Sequence, residues 1–133
     1  MILGAIRRRW AYRAARTRLT SGSLAEAWAH VRYLWSKADT VYKAPVGYGG
    51  MLMPEYDTML RVADFGLVRA APFLHEGLRD DNPSVVAYSV ETLHMLGAPV
   101  DRCIISPAVL AMRVRWSAGN FGSTVAVEDF LLP

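Results

Sequence analysis

The sequence predicts an all-α fold: a small stack of helical hairpins forming a single domain over residues 1–133. Three observations predict it. Apolar side chains recur at three- and four-residue spacing along most of the chain. Turn and cap residues fall between those runs, at TSGS (20–23), Gly66, DDNP (80–83) and Gly97. Finally, 53% of the residues are hydrophobic, with four Trp, six Tyr, four Phe and six Met, enough apolar surface to offset chain entropy and build a core without staples.

The first element is a basic helix over residues 1–20. Ile2, Leu3, Ile6, Trp10 and Ala14 fall within an arc of about 120° when successive residues are placed about 100° apart. Arg7, Arg8, Arg9, Arg13, Arg16 and Arg18 coat it with no acid among them, whereas the remaining chain carries nine basic and twelve acidic side chains. The basic balance of the protein therefore comes from one arm. Such a segment lies on an anionic membrane, grips a phosphate backbone, or docks its stripe on the next helix while the arginines stay in water, the last being the common case. Arg7, Arg8, Arg9, Arg13 and Arg16 are the candidate anion-binding residues.

Ser23 opens a second helix, with Glu26 three residues on, which predicts a capping box. Leu24, Ala27, Trp28, Val31, Leu34, Trp35 and Ala38 follow at helical spacing, and His30 falls on the polar face. Residues 39–54, DTVYKAPVGYGGMLMP, lose the period and contain three glycines and two prolines, which predicts a long connection with room for a short β-hairpin. GYGG is not a phosphate loop, because no strand precedes it and no Lys-Ser/Thr follows. Tyr42 and Tyr48 make this connection adhesive, and both are candidate partner-binding residues.

Tyr56, Met59, Leu60 and Ala63 predict a third helix from Glu55, stopped near Gly66. Leu67, Ala71, Leu74 and Leu78 predict a fourth, with Pro72 bending it or delaying its start. Asn82 then caps a fifth, with Pro83 in the first helical position and Gly97 as its stop. Val85, Val86, Ser89, Val90, Leu93 and Leu96 form its buried face, which turns Tyr88, Glu91, Thr92 and Met95 outward as a partner-binding patch unless the N-terminal helices or the 39–54 connection cover them. SPAVLAMRVRWSAGN (106–120) reads as a closing helix capped by Ser106, and FGSTVAVEDFLLP as a strap across it.

The segment APFLHEGLRDDNPSVVAYSVETLHMLG (71–97) resembles a HEAT repeat, an armadillo-type helical repeat. Pro72, Leu74, Leu78, Asp80, Asn82, Pro83, Val85, Leu93, Leu96 and Gly97 match its pattern, while Val86 stands where the family often has an arginine that interacts with the turn. The resemblance implies a helical-hairpin core over 55–97 in a fragment of an α-solenoid. It also implies a concave surface lined by second helices, and hence by Tyr88, Glu91, Thr92 and Met95.

Chemistry is thinly supplied. HEG (75–77) is not a His-Glu-x-x-His zinc site, since Arg79 occupies the fourth position after His75. His75 and His94 sit on two helices of one hairpin without a third ligand. Cys103, the only cysteine, excludes an internal disulfide and reads as a packed small hydrophobe. No metal, cofactor or catalytic set is expected. The longest stretch free of Asp, Glu, Lys and Arg is twelve residues, Trp116 to Val127, against about 18 for a membrane span. The opening MILGAI runs straight into arginines, unlike a secretory signal. A cytoplasmic, non-enzymatic module that binds another protein is expected: an adaptor or inhibitor, of which a bacterial immunity protein neutralising a toxin is one version. Nucleic-acid binding through the arginine arm is the alternative.

Overall fold

Helix α1 (Ile2–Thr20) and helix α2 (Leu24–Ser36) form the first hairpin. The computed structural model describes residues 2–45, 47–48 and 51–132. Only the second half of α1 is docked, through Ala11, Ala15 and Leu19. Small residues at the first two of these positions let the backbone of α1 approach its neighbours. In α2 the predicted face is the buried one: Leu24, Ala27, Trp28, Val31, Leu34 and Trp35 are all in the core. The predicted capping box at its start does not form. Ser23 has φ −106° and ψ 82°, away from the extended backbone that aims a cap side chain at the N3 amide.

Helices α3 (Pro54–Ala63), α4 (Leu67–Leu78) and α5 (Pro83–Met95) follow. α4 runs from Leu67 through Pro72 without a break, so its start is not delayed. The DDNP turn forms as its residues dictate. Asn82 Oδ1 accepts from the amides of Ser84 (2.9 Å) and Val85 (3.1 Å), and Asp80 accepts from the Asn82 amide at 2.9 Å. Arg32 of α2 reaches the same aspartate at 2.6 and 3.1 Å. An arginine thus holds the turn, but it comes from another helix and not from position 86. At the far end Gly97 takes φ 69°. Its amide bonds the His94 carbonyl and the Ala98 amide bonds that of Leu93, both at 2.9 Å, a Schellman closure that only glycine adopts without strain.

α5 is the central helix, touching α2, α3, α4 and the C-terminal segments. Eight of its thirteen residues are buried, on all sides. Trp35 stacks on Tyr88 with ring centroids 5.4 Å apart, and Trp28 meets Trp35 edge-on at 5.7 Å. The Trp35 indole N–H donates to Thr58 Oγ1 at 3.0 Å, which ties α3 to the same aromatic cluster.

The chain is mostly helical with a minor β element, and the β element corrects the prediction for the C-terminus. The expected helix over 106–120 is a single turn, α6 (Pro107–Leu110), followed by strands β4 (Arg113–Ala118) and β5 (Phe121–Ala126). In RVRW the arginines face water, Val114 is buried and Trp116 packs against the core, the period-two pattern of a half-buried strand. The two-residue turn Gly119-Asn120, with Gly119 at φ 65°, has the chemistry of a tight hairpin. β4 pairs on its other side with β1 (Thr40–Tyr42), in parallel, through Thr40↔Arg115, Val41↔Trp116 and Tyr42↔Ser117. The short hairpin allowed for in the 39–54 connection is present as a ladder between β2 (Gly47–Tyr48) and β3 (Met51–Leu52). The tail does not strap a closing helix as expected: its first half is β5, paired with β4, and Val127 and Phe130, in a 3₁₀ turn over Val127–Leu131, are buried in a turn that packs against α5.

Candidate partner-binding surface

Burial overturns most of the surface predicted on α5. Tyr88 and Thr92 are fully buried. The Tyr88 hydroxyl donates to the Thr40 carbonyl at 2.8 Å and accepts from the Tyr42 amide at 3.1 Å, fastening β1 onto the helix. Burial pushes this phenol far above its ordinary range. Thr92 Oγ1 donates to the Tyr88 carbonyl at 2.7 Å. Glu91 is half-buried and pairs with Lys43 at 3.5 Å; the same ammonium lies over the rings of Phe130 (4.7 Å) and Trp116 (5.3 Å). Of these four only Met95 is exposed, since Tyr88 and Thr92 are buried and Glu91 half-buried. The cause is Trp35 of α2 together with β1, β4 and the C-terminal 3₁₀ turn, which pack on α5. Tyr42 is half-buried on the sheet, and the Tyr48 side chain lies outside the described residues.

Two smaller expectations also change. Cys103 is exposed, because its amide is held by Asp101 Oδ1 at 2.9 Å in a 3₁₀ turn that gives the buried place to Ile105. His30 is half-buried beside Trp10, whose ring centroid is 5.8 Å from its own. Desolvation, and then the charge of Arg18, lower its basicity, so at neutral pH it offers α1 an uncharged ring.

Among the described residues, four of the exposed large hydrophobic side chains fall together in the stripe on α1. Ile2 is 77% exposed, Leu3 71%, Ile6 55% and Trp10 65%. The stripe and the docked residues Ala11, Ala15 and Leu19 lie on roughly opposite sides of the helix at about 100° per residue. The stripe therefore stays free because a second, smaller apolar face does the docking. Beside it, Ile6, Trp10, Ala29, His30 and Tyr33 line an apolar groove of about 390 Å³ between α1 and α2. A hollow of about 460 Å³ continues it toward Leu3, Gly4, Arg7, Arg8 and Lys37. Scattered exposed apolar residues are ordinary, whereas several in one patch on one helix mark an interaction site.

The opposite flank of α1 is basic. Arg8, Arg9, Arg13 and Arg16 line a cleft against the start of α3, and Arg7 points to the α2 side. All five predicted anion-binding arginines are exposed. The cleft is not purely positive, however. Glu55 lines it and is buried with Oε2 unpaired, so desolvation raises its carboxyl above the ordinary value. Nearby, the Tyr12 hydroxyl donates to Asp57 at 2.7 Å and Arg61 donates to the same oxygen at 2.9 Å. One carboxyl group, that of Glu55, thus lines the cleft together with the arginines.

Among the described residues no three of His, Cys, Asp and Glu come together as a metal site, and no helix is long and apolar enough to cross a membrane. No protein-family model matches the chain, and no curated protein or solved structure matches it either. What the fold and surface define is a mostly helical chain with a small mixed sheet, whose longest helix presents an exposed apolar stripe beside arginines.

Proposed function

We propose that this chain is a non-catalytic protein-binding module, an adaptor or inhibitor, that engages its partner through α1 and the groove beside α2. The observation that carries the reading is the run Ile2, Leu3, Ile6 and Trp10, exposed on one side of a single helix. Holding such surface in water is unfavourable by roughly 25 cal/mol per Å², and a partner that covers it recovers that term. Arginine, of which this helix carries six, and tryptophan, present on it as Trp10, are among the residue types that dominate binding hot spots. The α4–α5 hairpin supports a HEAT-like scaffold, and a toxin-neutralising immunity protein is one version of the inhibitor.

The test is capture from native lysate with the wild-type chain and with a double variant, Ile6→Asp and Trp10→Asp. A stoichiometric protein partner that survives moderate salt and nuclease treatment, and is lost with the variant, is the expected result. Both substitutions are at exposed positions, so an unchanged circular dichroism spectrum separates lost binding from lost folding. Equal capture by the variant overturns the surface.

Nucleic-acid binding is the second reading, favoured by the four arginines along the α3 cleft. It requires an affinity that falls steeply with salt and vanishes on deletion of residues 2–20. The carboxyl groups of Glu55 and Asp57 beside that cleft weigh against it.

A further inference from the structure

We infer that the occupant of the α1–α2 groove is an acidic amphipathic helix of the partner protein; the inference rests on the protein-binding reading above and adds the partner's chemistry. Shape is the first argument. The apolar surface is a trough with walls on two helices, Ile6 and Trp10 on one side and Tyr33 on the other, continuing to Leu3 and Lys37. A ridge of side chains fills a trough between helices, whereas a flat lipid surface meets only the upper edge of its walls. The distance along α1 from Leu3 to Trp10 is about 10 Å, or two turns, which suits apolar anchors at i, i+3 or i+4, and i+7 of an incoming helix.

Charge is the second argument. The residues lining the groove and its continuation include Arg7, Arg8 and Lys37 and no acid. An acidic flank on the incoming helix meets these cations on the rim, while a basic flank meets like charge. The groove floor is lined by Ile6, Trp10, Ala11 and Ala29, so it favours apolar anchors.

The experiment uses the full chain and a fluorescent peptide of about 18 residues, long enough for some five helical turns, with Leu at the anchor spacing and Glu on the flanks. Two controls carry the same Leu with Lys for Glu, or the same composition in shuffled order. Anisotropy is expected to show binding of the Glu peptide that weakens roughly tenfold or more with Trp10→Ala. The charge reversals Arg7→Glu and Lys37→Glu together should shift the preference toward the Lys peptide. Equal binding of Glu and Lys peptides, or equal binding of the shuffled peptide, overturns the inference. So does Trp10-dependent binding to phosphatidylserine vesicles with no binding of any peptide. A captured partner that depends on Trp10 but is not displaced by excess Glu peptide overturns the acidic helix alone; a captured partner indifferent to Trp10 overturns the reading beneath it.

Discussion

Gly77 shows how closely α4 and α5 approach. A methyl group there would overlap Ser89 Oγ, with the Trp28 ring 3.5 Å away. Ser89 has little room to yield, since it is fully buried and its hydroxyl donates to the Val85 carbonyl at 2.8 Å. Alanine would gain about 1 kcal/mol of helix propensity over glycine, but overpacking a filled core costs about 1–3 kcal/mol. Gly77→Ala should therefore destabilise in urea unfolding, and adding Ser89→Ala should recover part of the loss. Tyr88→Phe should cost a further 1–3 kcal/mol or so, because the Thr40 carbonyl and the Tyr42 amide lose their partner. Glu55 predicts a pH dependence. Its carboxyl holds its proton more tightly in the folded chain than the ordinary value of 4.5, so the native state binds more protons above that pH and stability falls as pH rises through the window. Glu55→Gln should flatten that fall in urea midpoints compared between acidic and neutral pH. An unchanged slope would show that Glu55 remains solvated.

The two halves of α1 separate the proposed binding surface from the part that docks on the core. Residues 2–10 are exposed and contribute no side chain to the core, whereas Ala11, Ala15 and Leu19 do. Deleting residues 2–10 should move the unfolding free energy by no more than about 0.5 kcal/mol while abolishing partner binding. Deleting 2–20 should lower the thermal midpoint markedly. Helix positions were legible in the sequence because their signals are local: the Asn82-Pro83 start, the Gly97 stop and the spacing of Leu24 through Trp35 all fix backbone without knowledge of neighbours. What faces what was less legible. α5 carries a single charged residue, Glu91, in thirteen, a composition that belongs to a helix buried all round. Of the two readings open for its outer face, a partner-binding patch or cover by the N-terminal helices and the 39–54 connection, Tyr88 follows the second, under Trp35 and β1. The C-terminal strands were signalled by the alternation in Arg113 to Trp116 and by the Gly119-Asn120 turn, but a Pro107-capped helical start ran directly into them. For α1 the stripe was visible, and its exposure was not, because nothing local says that Ala11, Ala15 and Leu19 will be the residues buried in the core while Trp10 only edges against His30.

At the scale of the whole molecule, α5 is the hub and should be the slowest segment in hydrogen exchange. Residues 2–10 should exchange fastest among the helices; comparable protection in both would contradict this layout. The parallel pairing of β1 with β4 also joins Thr40 to Arg115, a contact across most of the chain. During synthesis the helices through α5 can collapse early, but Val41 and the Tyr88 hydroxyl bonds lack their cover until residues 113–131 have left the ribosome. Non-local closure of this kind is slow relative to helix packing. The nascent chain therefore passes through a stage with apolar surface open on two sides, at α1 and along α5. Only the second of these is sealed from within the chain.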